Sequence, residues 1–329
     1  MASRDKEILR GVAEASNVLE SYPAGERTSF DILGAITDLG IPVLFRPLKG
    51  LWGATITIGD DIRGILVTSR LPLHLQRFTL AHELGHYRLG HKIQLDPEIG
   101  FAGRYGPTSR GTHEIAADTF AAELLGAKRF VLAAAKRHRW TKQQFHNPQV
   151  VYQLSLRLGI SYEAACWALV ANGVLTRAEA TRQAKTTVKD LKVELLRGEK
   201  LEDSWADVWM ITANDSGSFI EGGPADVFAI HLNDFASGGY IWELIDAGQH
   251  GRVLREDSLT PSLLYGEPSS RVVLVTFAEP GVHRLLFAHR RPWNEETIAH
   301  IDISVDSYGK EIGGFPRRER QQALAGVAS

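Results

Sequence analysis

Ala81-His82-Glu83-Leu84-Gly85-His86 holds the residues with the clearest chemistry in the chain. On a helix, positions 82 and 86 lie one turn apart on one face, so both imidazoles can reach a single cation. Glu83 sits about 100° around the same helix. From there it can meet a water activated by that cation without being a ligand itself. A catalytic zinc commonly takes three protein ligands and leaves one position for water, so a third donor is expected. His91, five residues after His86, is one candidate, but it reads better as a surface or C-terminal capping histidine. The extended three-histidine zinc motif needs glycine three and histidine six residues after His86; the chain has Leu89 and Lys92 there, which excludes that class. Glu114, near the start of a later helix in Glu114-Ile115-Ala116-Ala117-Asp118, is the better third ligand. His113, beside it, points roughly 100° away. Asp118, one turn on, is placed to accept a hydrogen bond from the outer nitrogen of a ligand histidine and so fix its tautomer.

This Glu-x-x-x-Asp arrangement following HExxH resembles the gluzincin class, of which thermolysin is the familiar member. The expected chemistry is peptide-bond hydrolysis. The cation polarises water and the target carbonyl, while Glu83 takes the water proton and returns it to the leaving amine. Zn²⁺ suits a His-His-Glu set, and Mn²⁺ or Fe²⁺ could occupy it in cells. Tyr105 and His113 are candidates to steady the developing oxyanion. A protein substrate is expected to add as a strand along Ile62 to Thr68, provided that strand is an edge.

Several elements must bring these groups together. Ser29 to Leu39 reads as a helix ending at Gly40, and Ile41 to Phe45 as a strand. Ala54 to Ile58 and Ile62 to Thr68 read as a hairpin across Gly59-Asp60-Asp61. Pro72 opens the motif helix, where its missing N–H costs nothing; Phe78, Ala81, Leu84 and Gly85 form one packed stripe, and the helix stops near Gly90. After a Gly-rich loop at Gly100, Gly103, Gly106 and Gly111, a helix is expected from Thr112 to Leu125 with Gly126 as its stop. Lys128 to about Glu199 reads as helical throughout. From Trp205 onward the pattern alternates like strands: Val208 to Ile211, Asp226 to His231, Tyr240 to Leu244, Arg271 to Phe277, His283 to His289 and Ile298 to Val305.

Composition bounds the rest. The chain has 329 residues, 44% hydrophobic and 23% charged, which excludes a disordered or collagen-like protein and allows two or three domains. Its longest apolar runs, such as Phe130 to Ala135, are far shorter than a membrane span. Arg4, Asp5, Lys6 and Glu7 stand where a signal peptide would carry its apolar core, so a cytoplasmic location is expected. Cys166 is the single cysteine, which excludes an internal disulfide and a multi-cysteine zinc site; it sits in an apolar helix and reads as a buried small residue. The net charge is −2, yet Phe101 to Asp190 carries 13 lysines and arginines against 6 acidic residues, or +7, leaving −9 for the remainder. Lys136, Arg137 and Arg139 cluster within this basic middle.

Phe78-Thr79-Leu80-Ala81-His82-Glu83-Leu84-Gly85-His86, followed by Glu114 and Asp118-Thr119-Phe120-Ala121-Ala122-Glu123-Leu124-Leu125, resembles the ImmA/IrrE family of metallopeptidases over roughly the first 125 residues. Many members continue with Met-Pro where this chain has Gly126-Ala127. Gln153-Leu154-Ser155-Leu156-Arg157-Leu158-Gly159-Ile160-Ser161 then resembles a helix-turn-helix, with Gly159 in the turn, and a β-rich segment follows. That order resembles the deinococcal radiation-response regulators of the family. The resemblance implies an α+β, multidomain fold: a gluzincin-like (thermolysin-like) zinc peptidase domain at 1–127, a helix-turn-helix domain at 128–199 and an α/β GAF-like sensor domain at 200–329. It further implies His82, His86 and Glu114 as metal ligands, Glu83 as catalytic base, and a DdrO-like, XRE-type transcriptional repressor as the protein substrate, whose cleavage induces DNA-damage genes. The GAF-like domain would admit a small-molecule signal. The alternative is a DNA-binding transcription regulator with a non-catalytic metal site. DNA binding is the less favoured reading, because the second helix, Tyr162 to Ala171, offers only Glu163 as a charged side chain where a reader helix offers Arg, Asn or Gln. A third reading is a ligand sensor on an inert scaffold. Trp205, Trp209, Phe228, Tyr240 and Trp242 read as core; Arg317, Arg318 and Arg320 could bind an anion or solubilise the tail.

Overall fold

The computed structural model describes residues 2–22, 28–58, 62–91, 111–234, 238–248, 250–259, 269–294 and 296–320. The chain forms two compact units. The first comprises Met1–Ala134, Leu154–Thr181 and Lys310–Ser329; the second comprises Ala135–Gln153 and Arg182–Gly309. Among the described residues, no helix is long and apolar enough to cross a membrane.

The first unit opens with α1 (Ala2–Ser21), an element with little sequence signal. Its inward stripe is Glu7, Gly11, Ala15 and Val18, in which valine is the one large apolar side chain. α2 (Ile32–Asp38) follows, with the Asp31 carboxylate accepting from Gly34 N at 3.0 Å, an N-cap that satisfies an orphan donor. β1 (Val43–Arg46), β2 (Gly53–Ile58) and β3 (Ile62–Thr68) form one sheet in the order β1-β3-β2. β2 and β3 pair as the antiparallel hairpin expected, and β1 joins β3 in parallel. β3 is therefore central, with both its edges taken. The expectation of a substrate strand along Ile62 to Thr68 is corrected: the outer strand on that side is β2.

α3 (Leu73–Arg88) carries the HExxH motif, and Pro72 is its N-cap rather than its first helical residue. α4 (Thr112–Leu125) has the bounds the sequence suggests and ends on Gly126. α4 lies against both α1 and α3, and the glycines explain how closely. A Cβ at Gly11 would lie 2.5 Å from Ala116 O, and one at Gly85 would lie 3.0 Å from Phe120 Cδ1 and 3.2 Å from Ala117 Cα. Only hydrogen at these positions lets the backbones approach. After α5 (Lys128–His138) and α6 (Pro148–Leu158), α7 (Tyr162–Ala171) packs back on the end of α4. Asn172 Nδ2 donates to Gly126 O at 3.0 Å, and a Cβ at Gly126 would meet Ala168 Cβ at 3.0 Å. This close packing calls for glycine at position 126. The final segment returns to this unit too. Gln76 exchanges two hydrogen bonds with the Glu311 backbone, at 2.8 and 2.9 Å, and Phe45 bridges Gly314. Arg317 pairs with Glu311 and Arg318 with Asp31, while Arg320 donates to the carbonyls of Gly313 and Phe315. The three arginines thus pin the tail.

The expected helical domain at 128–199 is not a unit of its own. α6 ends in the first unit, with Gly159 (φ +66°) turning the chain into α7 under a Ser161 N-cap that accepts from Ala164 N. The start of α6 belongs to the second unit. There Tyr152 Oη donates to Asp207 Oδ1 at 2.9 Å, and Gln153 spans the backbone of β4 (Val208–Ile211), donating to Val208 O and accepting from Met210 N. The helices of an α/β GAF-like layer are not seen among the described residues from 208 to 306. Beyond α8 (Arg177–Gln183) and α9 (Val188–Leu196), the regular elements among the described residues from 208 to 306 are strands and the 3-10 turn Ala213–Asp215. They form two four-stranded sheets. One joins β4, β6 (Val227–Asp234), β9 (Ser269–Phe277) and β8 (Gly251–Leu259); the other joins β5 (Phe219–Glu221), β11 (Thr297–Asp306), β10 (Val282–Arg290) and β7 (Ile241–Asp246). Ala278–Gly281, which joins β9 to β10, is too short for the covering helix of an α/β layer. Val208, Phe228, Ile230, Leu285, Phe287, Ile303 and Val305 fill the interior. Trp209 and Trp242 are buried as expected, whereas Trp205 is 78% exposed.

Gly159 tests the α6–α7 turn. A Cβ there would lie 2.5 Å from Arg77 Nε, and the backbone is left-handed. Gly159→Ala should therefore lower stability by about 1–3 kcal/mol, seen as a lower urea midpoint at unchanged slope.

Candidate metal centre

The one-turn spacing in α3 and the α3–α4 contact act together. His82 is 1% exposed, and its Nε2 lies 3.0 Å from His86 Nε2. Glu114, in the first turn of α4, places Oε2 3.3 Å from His82 Nε2 and Oε1 3.2 Å from His86 Nε2. For metal–ligand bonds of about 2.0–2.1 Å, the edge of a tetrahedron is about 3.3 Å. The three donor atoms already stand at that separation, so His82, His86 and Glu114 fit a single transition-metal ion. Burial pushes the Glu114 carboxyl upward, but hydrogen bonds and charge from His82 and His86 outweigh it and hold the group well below the ordinary carboxylate range. It is an anion at neutral pH.

The outer nitrogens are held as well. His82 Nδ1 donates to Asp118 Oδ1 at 2.8 Å, which leaves the Nε2 lone pair facing the donor cluster. His86 Nδ1 lies 2.9 Å from Nδ1 of His91. His91 is thus neither a ligand of this cluster nor a surface residue, being 8% exposed. The cause is the helix end. Gly90 takes φ +67°, its N–H bonds Tyr87 O, and His91 N bonds His86 O at 3.0 Å. This left-handed cap folds the residue after glycine back onto the residue three from the end of the helix, here His91 onto His86. The Gly90-His91 pair was the sequence signal for this contact. Burial, then His86, His113 and Arg10, push the His91 imidazole down to about 4, so its ring is neutral at pH 7.

Glu83 is 5% exposed and lies off the ligand row, as its helical angle requires. Thr55 Oγ1, on the outer strand β2, donates to Glu83 Oε2 at 3.1 Å. A Cβ at Gly53 on the same strand would stand 2.4 Å from Thr79 Cγ2 and 3.3 Å from Glu83 Oε1. Thr55 and Gly53 carry no motif; only the pairing of β2 with β3 puts them over the helix. His113 is exposed and faces His91 at a ring separation of 4.4 Å rather than the His82–His86–Glu114 cluster. Tyr105 lies outside the described residues. Cys166 is buried in α7, and burial pushes its thiol up to about 11, against a redox role at neutral pH.

The IrrE N-terminal-like domain, a family of the M78 peptidases, matches residues 36–169, past the boundary expected at residue 127 and through most of α7. No curated protein matches the chain. Among solved structures, the cysteine protease inhibitor EhICP2 from Entamoeba histolytica is 19% identical, with 32% of this chain and 99% of that chain covered at a TM-score of 0.30. Amebosin is 14% identical, covering 31% and 97% at 0.28. PbICP-C, solved in complex with falcipain-2, is 18% identical, covering 33% and 97% at 0.21.

Asp118→Ala frees the outer nitrogen of His82. It should weaken metal binding by about 10–100-fold in competition with a chelator, with an unchanged circular dichroism spectrum. Gly85→Ala pushes α4 away from α3 and should cost about 1–3 kcal/mol of stability. Its metal affinity should fall as well, since Glu114 retreats with α4; titrating both variants checks this.

Proposed function

Residues 36–169 form a domain of the ImmA/IrrE (M78) family of metal-dependent peptidases, and on that premise we propose that the chain is a regulatory zinc endopeptidase that cuts a DdrO-like, XRE-type transcriptional repressor. The observation that carries the catalytic part is the cluster of two imidazole nitrogens and one carboxylate, 3.0–3.3 Å apart, with Glu83 next to His82 in the chain. A purely structural ion has no need of a second carboxylate next to a ligand in the motif. The repressor as substrate rests on the likeness to the family's radiation-response regulators.

His82, His86 and Glu114 would hold a zinc ion, which would supply Lewis acidity toward water and the scissile carbonyl. Glu83 accepts the proton of the attacking water at its carboxylate and passes it to the leaving amine. Thr55 holds one Glu83 oxygen by hydrogen bond, which fixes the direction of the other. Asp118 keeps the proton of His82 on Nδ1, and His91 accepts that of His86, so both rings present lone pairs inward. The substrate backbone adds along β2, the outer strand beside Glu83, which supplies main-chain hydrogen bonds without regard to side chain. α7 supports docking of a protein rather than reading of DNA: Tyr162, Ala165, Cys166 and Leu169 are buried, and Glu163, Ala164, Trp167 and Ala171 face outward.

Purified protein incubated with helix-turn-helix repressors and Zn²⁺ should give one metal-dependent fragment pair on a gel. Glu83→Gln should slow that cut by about 10²–10⁴-fold while retaining its metal. Cleavage at the wild-type rate by Glu83→Gln would sink the mechanism. Loss of all repressor cleavage together with retained hydrolysis of a generic peptide would sink the substrate alone.

A further inference from the structure

Outside the first cluster, Glu7 of α1, His91 beyond α3 and His113 of α4 bring one carboxylate oxygen and two imidazole nitrogens within 4.8 Å of one another. His91 is more than nine-tenths buried, and its Nε2 is shielded from solvent with no hydrogen-bond partner. Since Nδ1 of that ring faces His86, Nε2 is the nitrogen left for Glu7 and His113. A buried ring nitrogen without a partner is costly, and a carboxylate with a second imidazole beside it is a donor set for a borderline transition metal. The Glu7 side chain is 12% exposed and pairs with Arg10 at 2.9 Å. His113 is exposed, which opens the cluster to solvent and lets that side chain swing in.

We propose that Glu7, His91 and His113 form a second divalent-cation site, filled at the expense of the first. It takes Zn²⁺ or a similar ion, more weakly than His82, His86 and Glu114, because its donors stand farther apart and Arg10 is close. The antagonism follows from counting ring protons, and that part rests on the metal reading of the first site. A neutral imidazole carries one N–H proton. When His86 Nε2 holds an ion, the His86 proton sits on Nδ1 and is donated to His91 Nδ1. The proton of His91 is then on Nε2, which closes that nitrogen to a cation. A cation on His91 Nε2 moves the proton of that ring to Nδ1, where it confronts the Nδ1 proton of His86 across 2.9 Å. Each ion therefore weakens the other, and by linkage the effect is equal in both directions. Its size is that of losing a hydrogen bond behind a ligand, about 10–100-fold in affinity.

The test is equilibrium dialysis of the full chain against buffered Zn²⁺, with metal content read for wild type, His113→Ala, Glu7→Gln and Glu114→Ala. Wild type should take up two ions in separate steps. His113→Ala and Glu7→Gln should each lose the weaker ion and keep the tighter. Glu114→Ala should lose the tighter and bind the weaker about 10–100-fold more strongly, its competitor gone. His113 is exposed, so a melting curve matching wild type is expected and verifies folding. One ion in wild type that survives His113→Ala overturns the proposal; Glu7 and His91 then only extend the hydrogen-bond chain behind His86. Two ions that both persist in His113→Ala and Glu7→Gln overturn it as well. A single ion lost in His113→Ala but kept in Glu114→Ala supports this site and refutes the first.

Discussion

The close approach of α4 to α3 is the constraint on which the rest depends. The side chains at a contact set how near two packed helices can come. Gly85 sits inside the motif on the face that meets Ala117 and Phe120. Its missing side chain lets α4 come in until Glu114 bridges His82 and His86 and Asp118 reaches the back of His82. Gly11 does the same from the other side, so α4 is held between α1 and α3 by close contact of backbone and small side chains. Packing of this kind tolerates little change in volume, which suits a site whose donors must be held to tenths of an ångström.

Electrostatics then ranks the groups. Glu114 is partly buried, and burial alone would favour its neutral form; the two imidazoles reverse that and keep an anion in the cluster. The histidines in turn need their protons placed outward, and the fold supplies two different acceptors. Asp118 is an anion on the next helix; His91 is a neutral ring brought in by the left-handed helix cap at Gly90. A carboxylate behind a ligand raises its basicity more than a neutral ring does. The two histidines of the cluster are therefore not equivalent, and His86 is the one linked through His91 to Glu7 and His113.

The ends of the chain serve the same unit. α1 contributes Gly11 to the α4 contact and Arg10, which donates to Leu89 O at the end of α3. From the other end, the Glu311 backbone pairs with Gln76 on α3, and Gly314 pairs with Phe45 on β1. Residues 235 positions apart are thus joined around the motif helix. The second unit has its own internal logic. Gln153 meets the backbone of β4, and the buried Asp226 accepts from the N–H groups of Asp207, Gly223 and the Trp209 indole.

Local periodicity was enough to read much of this. Two histidines at i and i+4, and Glu114 with Asp118 at the same spacing, define faces of helices whatever surrounds them. The bounds of α4, the β2–β3 hairpin and most strands of the second unit follow from glycine stops and alternating apolar residues. Three kinds of feature escaped that reading. α1 buries glycine, alanine and a glutamate, so its stripe is defined by closeness rather than hydrophobicity. β5 is three residues long, and β8 carries Arg252, Arg255, Glu256 and Asp257, so neither alternates clearly. The order β1-β3-β2, the sharing of α6 between two units and the two-sheet form of the second unit are relations between distant segments, which no periodicity encodes. The sequence by itself determined which candidate side chains share a helix face, because helical spacing is a property of the local backbone. Tertiary structure alone decided which strand lies over Glu83 and which ring stands behind His86, because those contacts depend on how closely separate elements pack.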